Sequence, residues 1–195
     1  NGKYFVKVNN GSCEEQLEDH VVVNIPGAVT VFQILGDSEI CNGDPGVKIK
    51  LSGSEVGVNY QLIEVRTGNL IETQPGSGGE LHFTSLLRKP GEYKVVGTHG
   101  VSGCQADMTP YFDLKVNPLP ISYQMVGSGN YCTGGAGAEI KLMDSELDVT
   151  YILQKVIGAN QFEEKVLQGT GDEITFGSFT SGTYRVVAFN ALTLC

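Results

Sequence analysis

Apolar and polar residues alternate in short runs along the chain, and Gly, Pro and Asn turns separate the runs. Val47, Ile49 and Leu51 would share one face of a strand, since successive side chains of a strand point to opposite faces. Between residues 29 and 118 the alternation predicts seven strands and no helix: 30–35, 47–52, 58–65, 70–73, 80–85, 93–98 and 112–116. This pattern predicts an all-β chain folded as tandem immunoglobulin-like Greek-key sandwiches.

The chain contains an internal repeat of about 91 residues. Residues 41–62 return as residues 132–153 with the same Cys, Gly, Ile and Tyr positions, at an offset of 132 − 41 = 91. Cysteines 13, 104 and 195 follow the same offset. The sequence therefore predicts three parts: residues 1–28 are the C-terminal strands of a preceding repeat, residues 29–118 are a complete immunoglobulin-like repeat, and residues 119–195 are a repeat that lacks its last strand.

The repeated apolar positions predict the core of each copy. They are Ile49, Leu51, Tyr60, Leu62 and Tyr93 in the first copy, and Ile140, Leu142, Tyr151, Leu153 and Tyr184 in the second. Pro90 and Gly91 precede Tyr93, and this arrangement is typical of the corner where a sandwich binds a tyrosine hydroxyl to its backbone.

The composition narrows the classes of partner. The net charge is −9, which argues against nucleic acid and against an anionic membrane surface, because both require a basic face. No apolar run approaches the ~18 to 20 residues that span a bilayer, so direct membrane insertion is not expected. The predicted partners are neighbouring repeats of the same chain, with other surface proteins or glycans as further candidates. Exposed aromatic residues would support glycan binding, and the candidates are Tyr111, Tyr131 and Phe162.

Candidate catalytic groups are few. His20, His82 and His99 have no Ser or Cys neighbour in a nucleophile motif, and the Gly-rich segments 76–79 and 134–137 predict hairpin loops and not phosphate loops. We therefore expect no enzyme activity and no cofactor. The alternative for the acidic residues is calcium, which prefers oxygen-rich loops; those acids are Asp37, Glu39, Asp44, Asp144, Glu146 and Asp148.

Five cysteines and no Cys-x-x-Cys motif predict disulfides in an oxidising compartment. One pairing closes each complete repeat, as Cys41–Cys104 and Cys132–Cys195, and places the partner of Cys13 outside this sequence. The other pairing is Cys41–Cys195. In an immunoglobulin-like order the second and sixth strands run the same way, so the within-repeat pairs would lie at opposite ends, whereas a disulfide needs Cα atoms within roughly 7 Å. We favour the within-repeat pairing slightly, because each complete repeat then closes its own pair, and the sequence leaves the pairing open.

The motif of the repeat resembles a known family. It reads Cys-x-Gly-x-x-Gly-x-x-Ile-x-Leu, then Ser-Glu-x-x-Val-x-Tyr-x-Leu, then Gly-x-Tyr-x-Val-Val and a late Cys. It resembles the immunoglobulin-like or PKD-like repeats of large Bacteroidota cell-surface proteins, including gliding-motility-associated adhesins exported by the type IX secretion route. The resemblance implies an extracellular, non-catalytic stalk or interaction repeat of an adhesin or filament. The alternative is a glycan-binding or accessory sandwich module of a secreted multidomain protein.

Overall fold

A computed structural model describes residues 2–9, 11–12, 14–23, 27–127 and 129–195 of the chain. Within these residues every regular element is a β-strand, which confirms the all-β prediction. The strands are β1 (Gly2–Asn9), β2 (Glu14–Val23), β3 (Ile34–Leu35), β4 (Glu39–Cys41), β5 (Lys50–Leu51), β6 (Val58–Glu64), β7 (Asn69–Pro75), β8 (Leu81–His82), β9 (Gly91–His99), β10 (Gln105–Asp107), β11 (Phe112–Asn117), β12 (Met125–Val126), β13 (Ala138–Leu142), β14 (Val149–Ile157), β15 (Asn160–Gln168), β16 (Ile174–Phe179) and β17 (Thr183–Asn190).

The first copy of the repeat contains two sheets. One has the order β3-β5-β8, and the other has the order β4-β11-β9-β6-β7, with β10 also paired to β9. Strand β4 runs parallel to β11, with Glu39 opposite Lys115 and Cys41 opposite Asn117. Of the seven strands that alternation predicts, the second and fifth, β5 and β8, share one sheet. The third, sixth and seventh, β6, β9 and β11, share the other sheet. This distribution confirms the immunoglobulin-like sandwich.

The described strands differ in two ways from the seven that alternation predicts. Strands β4 and β10 were not predicted, because three residues are too few to show a period. Strands β3, β5 and β8 are two residues each, shorter than predicted, although backbone hydrogen bonds such as Phe83 N to Ile49 O (3.1 Å) continue the pairing beyond their ends.

The second copy of the repeat forms a sandwich of two three-stranded sheets. Their orders are β12-β13-β16 and β15-β14-β17. Buried side chains from both sheets form one core: Ile140, Leu142, Val149, Tyr151, Leu153, Ile174 and Phe176. Tyr151 and Leu153 are at most 1% exposed. Burial of one such side chain stabilises the fold by about 1.5 to 3 kcal/mol.

The N-terminal residues form an antiparallel hairpin. Strand β1 pairs with β2 from Gly2 opposite Val23 to Asn9 opposite Glu14. The alternation predicts strands at 2–8 and 20–25, so the second strand begins six residues earlier than predicted. Cys13 lies outside the described residues.

The chain divides into two compact units. The first contains Asn1–Gly36, Lys48–Ser85 and Gly91–Asp113, and the second contains Asp37–Val47, Leu86–Pro90 and Leu114–Cys195. The repeat boundaries near residues 28 and 118 remain predictions.

The positions predicted to form the repeat core are buried in the first copy. Ile49, Leu51, Tyr60 and Leu62 are at most 1% exposed, and Tyr93 is 4% exposed. In the second copy Tyr184 is half-buried, and its hydroxyl donates a hydrogen bond to Thr180 O at 3.0 Å, which is the tyrosine-corner geometry that the sequence suggests for its counterpart Tyr93.

Two repeated glycines occupy places where a side chain does not fit. A Cβ on Gly76 would overlap the carbonyl oxygen of Glu55, and a Cβ on Gly169 would overlap that of Glu146. These two glycines are 169 − 76 = 93 residues apart, so the offset between the copies grows by two within the β14–β15 hairpin. In each copy the turn after the hairpin, which is β6–β7 in the first copy and β14–β15 in the second, therefore packs against the Ser-Glu motif.

Candidate functional site

The structure contains one disulfide among its described cysteines, between Cys41 and Cys195. The S–S distance is 2.03 Å, the Cα–Cα distance is 5.4 Å, and 154 residues separate the two cysteines in sequence. Both belong to the second compact unit. In the sequence repeat, Cys41 is the loop cysteine of the first copy and Cys195 is the late cysteine of the second copy, so the bond joins positions from two copies.

Strand β4 and the turn after it hold Cys41. Asn42 N donates to Asn117 O at 2.8 Å, which extends the parallel pairing with β11 by one bond. Asp44 closes the turn, because its N–H donates to Cys41 O at 3.1 Å and its carboxylate accepts a hydrogen bond from Cys41 N at 2.9 Å. Short-range bonds of this kind fix the direction of the Cys41 side chain.

The Glu39 carboxylate connects β4 to β11 near Cys41. It accepts a hydrogen bond from Asn117 Nδ2 at 3.1 Å and lies 3.5 Å from Lys115 Nζ. The Asn117 amide and then the positive charge of Lys115 lower the pKa of the Glu39 carboxyl. Glu39 therefore pairs with two side chains of β11, Asn117 and Lys115.

A tight loop after β17 holds Cys195. Asn190 N donates to Cys195 O at 2.7 Å, while the Asn190 side-chain oxygen accepts hydrogen bonds from Leu192 N and Thr193 N at 2.9 and 3.1 Å. Leu194 has a φ of 60°, in the left-handed region that side chains rarely adopt. Cys195 is 8% exposed, so the loop places it in a buried position.

The within-repeat pairs Cys41–Cys104 and Cys132–Cys195 are not the pairs in the structure, and that prediction is wrong. Each cysteine forms one disulfide, so the Cys41–Cys195 bond leaves neither cysteine for Cys104 or Cys132, which are free thiols. In the second copy, Tyr131 accepts a hydrogen bond from Ser181 N before β17, and Cys195 follows β17.

Cys104 and Cys132 are free thiols, and each occupies the same local structure as a paired cysteine. His99 N donates to Cys104 O at 2.9 Å, and His99 Nδ1 accepts hydrogen bonds from Val101 N and Ser102 N. Asn190 makes the same set around Cys195, so His99 has a structural role. Likewise Gly135 N donates to Cys132 O at 2.8 Å, as Asp44 N donates to Cys41 O.

The repeated Ser-Glu pair joins three parts of each copy. Glu55 N donates to the hydroxyl of buried Tyr60 at 2.9 Å, and burial raises the pKa of that hydroxyl. The Glu55 carboxylate accepts hydrogen bonds from the Thr30 hydroxyl and amide, which lower its pKa. In the second copy Glu146 N donates to Tyr151 at 2.9 Å, and the Glu146 carboxylate accepts from Ile121 N.

Buried serines organise the same region, and the sequence reasoning assigned them no role. Ser54 Oγ donates to Gly79 O at 2.7 Å and accepts from Ser77 N at 3.0 Å. Ser145 Oγ donates to Asp172 O at 2.7 Å and accepts from Thr170 N at 2.9 Å. The signal that could have found these serines is the repeat itself, because a polar residue retained next to core positions must have its hydrogen bonds satisfied.

The acids considered for calcium do not form a cluster. Within the described residues, no three His, Cys, Asp or Glu side chains lie close enough to share a metal ion. Asp144 accepts a hydrogen bond from the next amide, Ser145 N, at 2.7 Å, and Asp148 adopts a φ of 61° at a turn. Asp37 lies before β4 and is exposed. The geometry thus gives no support to the calcium alternative.

The aromatic and histidine candidates differ in their exposure and in their local contacts. The Tyr111 hydroxyl donates to Asp107 at 2.6 Å, and the Tyr131 hydroxyl accepts from Ser181 N at 3.0 Å. Phe162 is 51% exposed on β15. His82 is exposed and lies 3.5 Å from Glu80, and the backbone of His20 lies in β2.

No protein-family model and no curated protein matches the sequence. The chain is similar to the human OSCAR ligand-binding domain, at 11% identity and a TM-score of 0.39, over 85% of this chain and 92% of that one. It is also similar to the N-terminal four Ig domains of Dscam1 isoform 6.44, at 14% identity and a TM-score of 0.30, over 98% of this chain and 56% of that one. Among the described residues, no helix has the length and apolar character needed to cross a membrane.

Proposed function

We propose that the chain provides non-catalytic structural and interaction repeats for the stalk of a large extracellular protein, an adhesin or a filament. The observation that supports this proposal is the Cys41–Cys195 disulfide. The disulfide joins cysteine positions from two copies of the 91-residue repeat. It therefore adds a second covalent link between successive copies, beside the backbone that already connects them. The motif resemblance adds that such arrays belong to gliding-motility-associated surface proteins of Bacteroidota, exported by the type IX route.

The disulfide also supports an extracellular location. Disulfides form and persist in oxidising compartments and are rare in the cytosol. In a chain-entropy account, a bond that closes 154 residues stabilises the fold by up to about 5 kcal/mol. A repeat under mechanical load gains from such a link, because the chain between Cys41 and Cys195 cannot be pulled out to its full length while the disulfide is intact.

The proposal includes a pairing rule for the array: the loop cysteine of one copy bonds to the late cysteine of the next copy. Cys132 is a loop cysteine and Cys104 is a late cysteine, each in the local structure of its paired counterpart. The Tyr111 and Tyr131 hydroxyls make hydrogen bonds within the protein, and no observation favours glycan binding over this structural role.

The experiment extends the chain by a further copy of residues 105–195, placed directly after Cys195, so that the 91-residue period continues. The protein is refolded with oxidised glutathione, whose disulfide accepts two electrons and two protons from each pair of thiols and becomes two glutathione thiols. We expect non-reducing peptide mapping to show Cys41–Cys195 together with a bond from Cys132 to the added counterpart of Cys195.

The control is the Cys132→Ser variant of the extended chain, in which the added late cysteine should become alkylatable while Cys41–Cys195 remains. A map with Cys41–Cys104 and Cys132–Cys195 would overturn the proposal. So would an extended chain in which Cys41 stays a free thiol.

A further inference from the structure

The second copy of the repeat has an open groove of about 260 Å³. Its walls are mostly apolar, and its lining includes Tyr123, Leu142, Tyr151, Val186 and Ala188. All lining residues belong to the second compact unit. The groove lies beside β17, which among the described strands pairs only with β14 and is an edge of its sheet.

In the first copy, the side chain of Met108 occupies the corresponding place. Met108 is 0% exposed, its N–H donates to Val95 O at 2.8 Å, and its sulfur accepts a hydrogen bond from Phe32 N at 3.2 Å. It packs over Gly97, where a Cβ would lie 3.1 Å from the Met108 methyl group, 3.1 Å from the Tyr60 ring and 3.0 Å from Val29. Five residues therefore define the Met108 site.

All five of those residues have counterparts in the lining of the groove. Adding 91 to each number converts the Met108 neighbours Val29, Phe32, Tyr60, Val95 and Gly97 into Pro120, Tyr123, Tyr151, Val186 and Ala188. The groove of the second copy is thus the Met108 site without an occupant from the described residues.

The first copy also shows the charge that accompanies Met108. Asp107 precedes it, and Lys94 Nζ lies 3.2 Å from the Asp107 carboxylate. The counterpart of Lys94 is Arg185, which is exposed on β17 and donates hydrogen bonds to Gln154 and Gln161. An acidic residue that entered beside the groove would therefore meet a positive charge.

We propose that this groove binds an extended segment of the Gln105–Asn117 type, in which an acidic residue is followed by an apolar one. The apolar side chain fills the space between Tyr151 and Ala188, and the acidic residue pairs with Arg185. The backbone of the segment adds to the edge of β17, as β10 adds to β9 with Ala106 opposite Gly97. This inference rests on the proposed function, since it makes the groove a contact between segments of the repeat.

Of the residues that differ between the groove and the Met108 site, Ala188 bears on the length of the side chain that the groove accepts. Ala188 carries a methyl group where Gly97 has none, and that methyl group would lie close to the end of a methionine side chain. A leucine is shorter by one bond, so we expect the groove to accept leucine at least as well as methionine.

The test uses the oxidised 195-residue protein and a fluorescein-labelled peptide with the sequence of residues 105–117, followed by fluorescence anisotropy. We expect saturable binding. Exchange of the peptide methionine for aspartate should weaken binding at least about tenfold, because an unpaired charge would be buried. Exchange for leucine should leave the affinity equal or higher.

Two protein variants locate the binding. Ala188→Leu fills the groove and should abolish binding. Arg185→Glu is a surface change and should weaken binding about two- to fivefold, the range of an exposed ion pair, and a peptide with lysine in place of the first aspartate should restore it. Lys165→Glu, on exposed β15, is the matched control and should leave binding unchanged.

Several results would overturn the inference. They are absence of saturable binding to the folded protein, equal binding to the Ala188→Leu variant, and no rescue by the charge exchange. Self-association of the chain that the peptide does not displace would also overturn it, because another surface would then cover the groove. Peptide mapping of the same sample separates the two proposals: if Cys41–Cys195 is intact and the peptide fails to bind, only the groove inference is wrong.

Discussion

The two copies of the repeat share their core and differ in how that core is closed. In both copies a buried tyrosine accepts a hydrogen bond from a glutamate amide at 2.9 Å. In the first copy β9 has neighbours on both sides and Val95 is 0% exposed, whereas in the second copy β17 is an edge and the counterpart Val186 is half-buried. The repeated motif therefore specifies the sandwich core, and residues 105–117 supply its closure in the first copy.

A second difference concerns the carboxylate of Glu72 on β7. It accepts hydrogen bonds from Thr84 N at 3.0 Å, Ser85 N at 2.8 Å and Gln74 Nε2 at 2.6 Å. Partial burial acts to raise the pKa of this carboxyl, but these hydrogen bonds outweigh burial and lower the pKa from 4.5 to about 2. Glu72 lies opposite Leu62 on β6, and the counterpart of Leu62 in the second copy is Leu153. The residue opposite Leu153 is Lys165, whose ammonium group has no acceptor and so cannot accept these hydrogen bonds.

The largest expected effect comes from removal of the side chain that closes the first copy. Met108→Ala should lower the free energy of unfolding of that copy by about 2 to 5 kcal/mol, because it empties a fully buried site. Hydrogen exchange resolved by segment should show protection lost in β6 and β9 and retained in β14. Met143→Ala, at a residue that is 50% exposed, is the control and should change stability by less than about 0.5 kcal/mol. Equal losses of protection in both copies would contradict the prediction that Met108 stabilises only the first copy.

A smaller and symmetric effect is expected from the buried tyrosines. Tyr60→Phe and Tyr151→Phe each remove the acceptor of one backbone N–H, so each should cost its own copy about 1 to 3 kcal/mol. The same exchange measurement, read in β6 for the first variant and in β14 for the second, should give similar losses. If only one of the two variants lost stability, the shared motif would not contribute equally to the stability of the two copies.

The smallest expected effect is the pH-dependent one at Glu72. Its pKa is lower in the folded state, so the carboxylate contributes stability above its unfolded pKa and loses that contribution as the pH falls from about 4.5 towards 2. Discounted for partial exposure, Glu72→Gln should cost the first copy about 1 to 2 kcal/mol at pH 7 and almost nothing near pH 2. Urea unfolding at several pH values measures this difference.

The matched change in the second copy is Lys165→Gln, at an exposed residue, which should alter stability by less than about 0.5 kcal/mol at every pH. A Glu72→Gln cost that stays constant from pH 7 to pH 2 would show that the hydrogen bonds to Thr84 and Ser85 do not depend on the charge of Glu72.

Alternation along the chain was sufficient to predict the elements that build the core. Val58, Tyr60 and Leu62 are buried on β6 as their spacing predicts, because a period of two places such residues on one face. Strands β4 and β10 escaped prediction, since a three-residue strand is held by its neighbours and leaves no periodic signal. The groove beside β17 was also not predicted, because its lining comes from four separate segments of the chain and none of them alone carries a signature of the site.

The sequence by itself determined the all-β class, the 91-residue repeat and the buried positions of the core, since these follow from local alternation and from comparison of the chain with itself. Only the tertiary structure decided which cysteines pair. Cys104 and Cys132 are free thiols, whereas the Cα atoms of Cys41 and Cys195 are 5.4 Å apart despite a sequence separation of 154 residues. A disulfide depends on distance in space, and strand topology, which brings distant segments together, sets that distance.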